Sequence, residues 1–348
     1  MSQQALVVAE IGKPLVKITR PIPEPKEGQI QVKVTVAGLN PHDAKAQRYG
    51  LFIKDSLPSP LAIDIVGTVT KVGPNVSNFK EGDKVFSLGN PMDPDGAGTQ
   101  EYAILIAETT AKVPENVNAD EAATLALNPL TAFWGLFRDP VGLGIPPPAP
   151  FKGSQPGFDY SKLSLAVIGG GSAVGKYVIA WAKYAGFGMI ITTASKGKSE
   201  KELSALGATH ILDRHVSATE LENQVREIVG DDLQHVFDAV NAGQDAEVGA
   251  RLLSTSKSGK LVVICGGDFD ASKVTGKNAG FKRIMVFASP DPIIGRSYWE
   301  ELPKLILNGV LKPTMYAVIE GLNLDKLNAA IAAYNAGQNV VKPQLHID

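Results

Sequence analysis

The segment Ile30-Gln31-Val32-Lys33-Val34-Thr35-Val36 alternates apolar and polar residues with period two, the pattern of a half-buried strand. Ile65 to Val72 repeats it and runs into the turn Gly73-Pro74-Asn75. Glu81-Gly82-Asp83-Lys84 is a second turn, followed by the apolar pair Val85-Phe86. The first third therefore reads as a small, turn-dense β domain. From Leu163 the texture changes. Short apolar runs at Leu163–Ile168, Met189–Thr193, His235–Val240, Leu261–Cys265 and Ile284–Ala288 predict strands, and Val174–Ala185 and Lys198–Leu206 predict helices. This alternation implies a parallel sheet with helices on both faces. Between the two textures, residues 139–162 contain Pro140, Pro146, Pro147, Pro148, Pro150 and Pro156 with interspersed glycines. So many prolines exclude a helix or a central strand, and predict a loop or surface excursion between domains.

The 348-residue length fits two domains, and 44% hydrophobic with 20% charged residues is ordinary for a globular chain. The formal net charge of -2 gives no general attraction to nucleic acid or an anionic membrane, and neither is expected as a partner. The N-terminus lacks the marks of a secretory signal, and no apolar run is long enough to predict a membrane span. The single cysteine, Cys265, excludes an intrachain disulfide and a multi-cysteine zinc site. A soluble, intracellular protein is expected, located in the cytoplasm.

Chemistry enters at the turn Gly169-Gly170-Gly171-Ser172-Ala173-Val174-Gly175, which follows a predicted strand and opens a predicted helix. Small residues let the backbone approach a pyrophosphate, and the helix N-terminus offers free N–H groups. All seven residues are candidate dinucleotide contacts. The second strand of such a unit usually ends in an acid that binds the ribose 2′-OH of NAD. Here the stretch Thr192-Thr193-Ala194-Ser195-Lys196-Gly197-Lys198 has no acid before Glu200. Ser195, Lys198 and, further along, Arg214 are the candidate clamp for a 2′-phosphate, which selects NADPH.

The order of a β-rich domain, a Rossmann domain and a return segment resembles the medium-chain dehydrogenase/reductase superfamily. The markers are Ala37-Gly38-Leu39-Asn40-Pro41-His42-Asp43, Pro60-Leu61-Ala62-Ile63-Asp64-Ile65-Val66-Gly67, Gly82-Asp83-Lys84-Val85, Gln100-Glu101-Tyr102 and Leu206-Gly207-Ala208-Thr209. The resemblance implies an α/β fold: a GroES-like β-rich catalytic domain over 1–130 and 294–348, and a doubly wound Rossmann domain over 131–293. Zinc-dependent members carry a ligand Cys at the position of Asn40 and a Gly-His-Glu motif on Ala62-Ile63-Asp64. Asp64 alone cannot supply about three zinc ligands, so no metal is expected. The five histidines, His42, His210, His215, His235 and His346, show no metal spacing and read as surface or structural.

These departures resemble the zinc-independent quinone-oxidoreductase and enoyl-reductase branches. Gly142-Leu143-Gly144-Ile145-Pro146-Pro147-Pro148 is similar to an insertion of fungal trans-acting enoyl reductases. The implied activity is hydride transfer from NADPH to an α,β-unsaturated carbonyl. The implied partners are a small enone, an enoyl thioester or a quinone, with a polyketide synthase as protein partner in that subgroup. NADPH-dependent quinone reduction and non-catalytic NADPH binding are the alternatives, and a monomer and a homodimer are both compatible.

By family position Asn40 and Thr131 are the catalytic candidates, Asn40 through an amide that donates to an oxygen and Thr131 through contact with the nicotinamide end. Tyr49 is a further proton-donor candidate, offset from the tyrosine of related reductases. Cys265 is a candidate cofactor contact that reads as a small buried hydrophobe rather than a reactive thiol, with the loop that follows it near the nicotinamide. Lys342 is expected to return toward the cofactor phosphate. Asp43 and Asp64 are read as structural carboxylates.

Overall fold

The computed structural model describes residues 1–347 apart from Lys196 and Lys198, with the backbone alone for Pro292, Ile293 and Ile294. The chain divides into two compact units, Met1–Leu127 with Ser289–Asp348, and Asn128–Ala288. The sequence-based division had fallen at 130/131 and 293/294.

The first unit begins with β1 (Ser2–Val8), β2 (Val16–Pro21) and β3 (Gln29–Gly38). Helix α1 (Pro41–Tyr49) follows, then β4 (Ser59–Pro60), β5 (Asp64–Val72), β6 (Lys84–Leu88), β7 (Tyr102–Ile106), β8 (Thr110–Lys112) and the short α2 (Ala119–Ala122). Ile30, Val32 and Val34 of β3 are fully buried while Lys33 is exposed, as period-two patterning requires. Their core includes Leu6, Val69, Val85, Leu105 and, from the end of the chain, Leu345. β3 is long enough to share one edge between two partners. Its Gln29–Lys33 half pairs with β7 and its Val36–Gly38 half with the last strand of the chain. That second pairing brings residues near 342 beside Asn40.

Helix α3 (Leu127–Phe137) leads into the second unit. There the order is β9 (Ser164–Ile168), α4 (Ala173–Ala185), β10 (Met189–Ala194), α5 (Glu200–Leu206), β11 (His210–Asp213), α6 (Ala218–Val229), β12 (His235–Asp238), α7 (Glu247–Leu252), β13 (Gly259–Val263) and β14 (Phe281–Met285). The strands form one parallel sheet in the order β11-β10-β9-β12-β13-β14. The direction of winding reverses between β9 and β12, the switch point of a doubly wound sheet. The last apolar run was expected as a strand at Ile284–Ala288. Pairing of Gly259 with Phe281 instead starts β14 at Phe281, and Phe287 is exposed beyond its end. The chain then returns to the first unit through α8 (Pro292–Leu307), β15 (Tyr316–Ile319), α9 (Leu324–Asn335) and β16 (Lys342–His346).

The proline-rich stretch corrects an expectation. It is irregular, as its composition demands, yet it is packed into the second unit. Leu143, Ile145 and Phe151 are buried, and Phe151 meets Phe133 and Trp181 edge to face, with centroids 4.7 and 5.6 Å away. Leu143 N donates to Gly135 O (2.7 Å), Lys260 Nζ to Leu143 O (2.7 Å), and Tyr160 Oη to Pro146 O (2.9 Å). Prolines exclude regular structure, and they leave the apolar residues between them free to anchor the segment.

Candidate active site

The carboxyl end of β3 sets up a candidate site in the first unit. Gly38 has no room for a side chain, since a Cβ there would lie 3.0–3.1 Å from Gln344 Oε1, Ala123 O and Asp64 Cβ. The strand thus passes close to β5 and β16 before Asn40 caps α1, with Pro41 as the first helical residue. Asn40 N donates to Asp43 Oδ2 (2.7 Å), and Ala62 N donates to Asp43 Oδ1 (2.8 Å). Asp43 therefore ties the start of α1 to a loop whose Ala62 has a left-handed backbone (φ 63).

Asp64, the first residue of β5, is the hub. Its Oδ1 accepts from Leu127 N (2.6 Å), the first amide of α3, where a carboxylate also suits the helix dipole. Its Oδ2 accepts from Asn40 Nδ2 (2.7 Å) and from Lys342 Nζ (2.5 Å). The Lys342 ammonium also donates to Asn40 Oδ1 (2.8 Å) and Leu39 O (3.2 Å). The side chains of Lys342 and Asp64 are 8% and 1% exposed. Lys342, expected to return toward the cofactor phosphate, has its ammonium among these oxygens. Antiparallel pairing of Gln344 with Gly38 carries its ammonium into the polar cluster, where a desolvated cation takes the adjacent carboxylate. Burial, reinforced by the charges of Asp43 and Asp64, pushes the Tyr334 hydroxyl above its ordinary range.

Beside this cluster a shallow recess is lined by His42, Ala62, Ile63 and Pro91. His42 Nε2 lies 3.4 Å from Asp43 Oδ1, so this histidine borders the candidate site, a placement its sequence context did not signal. Tyr49, at the end of α1, is 66% exposed with the Arg48 guanidinium 5.2 Å from its ring centroid. It stands outside the Asn40 cluster. Thr131 is buried on α3 and belongs to the second unit.

The second unit has a candidate site of its own, the glycine turn after β9. Gly169 is left-handed (φ 79), and a Cβ on it would strike Val240. A Cβ on Gly170 would lie 2.0 Å from Thr192 Oγ1, and one on Gly175 2.3 Å from Gly169 O. These three positions close the turn tightly onto the sheet and the helix. Gly171 differs, because a Cβ there would meet only Ser199 Oγ at 3.8 Å. The backbone is thus open at one point, directly before the N-terminus of α4. Ser172 caps this helix by accepting from Gly175 N (3.1 Å), while the first-turn amides of Ala173 and Val174 have no intrahelical acceptor by position. An anion such as a pyrophosphate fits this cradle.

Ser195 follows β10, and Arg214 follows β11. Ala194 pairs with Asp213, and Arg214 N donates to Ala194 O (3.0 Å), so the two clamp candidates sit at neighbouring strand ends. Lys198 lies outside the described residues. Asp213, the last residue of β11, is an acid paired with Ala194 at the end of β10, and the sequence of β10 does not announce it. Its Oδ1 accepts from His215 N (3.0 Å). Only the sheet pairing reveals it. Cys265 is partly buried beyond β13, and its carbonyl accepts from Arg283 Nη2 (3.5 Å).

The donor set does not fit zinc. The family's Cys and His ligand positions hold Asn40 and Ile63, and the oxygens of the Asn40 amide and the neighbouring Asp64 carboxylate face an ammonium. Among the described residues no three His, Cys, Asp or Glu side chains gather as a metal site. No helix there is long and apolar enough to cross a membrane.

A GroES-like unit joined to a doubly wound unit with a nucleotide-type glycine turn defines an oxidoreductase. Residues 26–115 match the alcohol dehydrogenase GroES-like domain, and residues 173–307 match the zinc-binding dehydrogenase family. The chain belongs to the medium-chain dehydrogenase/reductase superfamily. It is 29% identical over 314 residues to a zinc-type alcohol dehydrogenase-like protein of Staphylococcus epidermidis, covering 89% of this chain and 88% of that one. It is 32% identical over 195 residues to a chloroplast envelope quinone oxidoreductase homolog of Arabidopsis thaliana, covering 56% and 54%. It is also 32% identical over 210 residues to the dehydrogenase pigH of Monascus ruber, covering 58% and 54%. Among solved structures, the CurK enoyl reductase superposes with TM-score 0.77 at 20% identity, covering 99% of both chains. A mycobacterial protein complexed with NADPH superposes with TM-score 0.74 at 24% identity, also covering 99% of both.

Proposed function

We propose that the protein is a zinc-independent, NADPH-dependent reductase of activated double bonds, taking a small enone or an enoyl thioester. The observation that carries this reading is the content of the metal-ligand positions, Asn40 and Ile63, with an ammonium between the Asn40 amide and the Asp64 carboxylate. An alcohol dehydrogenase polarises its substrate oxygen with a metal, and these residues cannot hold one. A conjugated carbonyl needs only hydrogen-bond donors to carry the charge that develops on its oxygen.

Bound NADPH supplies the hydride. The chain supplies placement. Gly171 and the N-terminus of α4 hold the pyrophosphate, and Ser195 and Arg214, with Lys198, take the 2′-phosphate. In this reading Thr131 would contact the nicotinamide end, and the Asn40 amide would donate to the substrate oxygen. The likeness to the Arabidopsis quinone oxidoreductase homolog favours a quinone as the second acceptor class. The segment Gly142-Leu143-Gly144-Ile145-Pro146-Pro147-Pro148, similar to an insertion of fungal trans-acting enoyl reductases, supports delivery of the substrate by a polyketide synthase.

The test is fluorescence titration with NADPH and NADH, then loss of NADPH absorbance with enone, enoyl thioester and quinone panels. NADPH binding about tenfold or more tighter than NADH, with turnover of an enone or enoyl thioester, supports the reading. Turnover of quinones alone moves it to the second class. Tight NADPH binding without turnover of any acceptor makes the protein a nucleotide-binding partner. Equal affinity for NADH removes the 2′-phosphate clamp.

A further inference from the structure

Where zinc-dependent members of the superfamily carry a ligand Cys this chain has Asn40, and its amide, the Asp64 carboxylate and the Leu39 carbonyl surround a lysine. We propose that Lys342 is the resident cation of the first unit. Its ammonium supplies a positive charge beside Asn40, which stands at a metal-ligand position of the superfamily, and through that charge it fixes the Asn40 amide.

The coordination is complete on both sides. An ammonium has three N–H donors. Here they meet three oxygens, Asp64 Oδ2, Asn40 Oδ1 and Leu39 O, at 2.5, 2.8 and 3.2 Å. Oxygen-only cages suit ammonium and hard cations, whereas zinc sites are built mainly on nitrogen and sulfur. Both charges are almost fully desolvated, so neither is tolerable alone. A divalent cation at the same oxygens would sit against a fixed positive charge.

The orientation of Asn40 follows from the same contacts. Ammonium can only donate and carboxylate can only accept. Lys342 therefore claims Oδ1 and Asp64 claims Nδ2, and the amide has a single orientation in this cage. Lys342 is a positioning residue for Asn40, acting from the far end of the chain through β16. This positioning role rests on the reductase reading, while the role as resident cation does not.

The experiment compares wild type, Lys342→Ala, and the double variant Lys342→Met/Asp64→Asn, all as full chains without cofactor. Lys342→Ala leaves the Asp64 carboxylate buried and unpaired, and is expected to lower Tm by about 10 °C. Methylammonium should restore part of that loss saturably, and sodium or tetramethylammonium chloride at equal ionic strength should not. In the double variant both charges are gone and the Asn40 amide can turn over to accept from the new amide. Its Tm should lie near wild type and ignore methylammonium. Its affinity ratio for NADPH over NADH should change by less than about twofold.

Four results would overturn the proposal. They are wild-type stability in Lys342→Ala, equal recovery with sodium chloride, a double variant as unstable as the single one, and stoichiometric zinc retained by purified wild type. A fall of about tenfold or more in the NADPH to NADH ratio of the double variant would instead place Lys342 on the cofactor phosphate. The thermal arms use no nucleotide, so they separate failure of this proposal from failure of the reductase reading.

Discussion

Replacing Gly171 by alanine should separate cofactor binding from folding. Gly171 is outside the left-handed region, and its added methyl would meet only Ser199 Oγ at 3.8 Å. Stability should therefore stay within about 0.5 kcal/mol of wild type. The methyl, however, would project into the open space in front of the α4 N-terminus. An oxygen accepting from that turn sits about 2.9 Å from the nitrogen, leaving no layer for an extra carbon. Loss of one charge-assisted hydrogen bond costs about 1.5–3 kcal/mol, which is roughly a 10- to 150-fold weaker Kd. The assay pairs NADPH fluorescence titration with thermal unfolding. Gly175→Ala is the contrast, because its Cβ would lie 2.3 Å from Gly169 O and 2.9 Å from Gly170 Cα. That variant should lose about 1–3 kcal/mol of stability through overpacking as well as affinity. Wild-type NADPH affinity in a folded Gly171→Ala variant would refute the cradle. A large stability loss there would refute the premise that the space is open.

Three further outcomes follow from the packing and charge of the second unit. Arg214→Ala should narrow the preference for NADPH over NADH by about tenfold while leaving NADH affinity unchanged, read by the same titration. Phe151→Ala should lower stability by about 3–5 kcal/mol in denaturant unfolding, because the ring is fully buried against Phe133 and Trp181. Asp231 is held well below the ordinary carboxylate range by the Ser256 hydroxyl and the Thr255 amide, with further help from the Thr255 hydroxyl and Ser256 amide. A depressed folded pKa stabilises above the unfolded value of about 3.9 and loses that contribution as pH falls toward the folded value. Asp231→Asn should therefore flatten the fall in stability below about pH 4, measured by urea midpoints across the acid range.

The parts legible in the sequence are those whose physics is local. The period-two alternation of Ile30 to Val36 specifies a strand with one buried face wherever it is placed, and β3 forms there. The glycine turn needs a left-handed residue at Gly169 and closeness at Gly175, and both demands act within a few residues. The apolar runs of the second half became β9, β10, β12 and β13 for the same reason. Register was less visible: β14 starts earlier than its apolar run because pairing with β13 decides where a strand begins.

What only the tertiary structure decided involves residues far apart in the chain. Lys342 and Asn40 are 302 positions apart, and no pattern near either one announces the other. Their contact exists because β16 pairs with the last residues of β3, and the desolvated charge then takes the carboxylate that β5 presents. Asp213 reached the end of β10 by sheet pairing, and the proline-rich segment was drawn inward by Phe151 meeting Phe133 and Trp181 and by the burial of Leu143. Chain proximity sets turns and strand periods, whereas the partners of a buried charge are chosen by whichever polar atoms the completed fold leaves within reach.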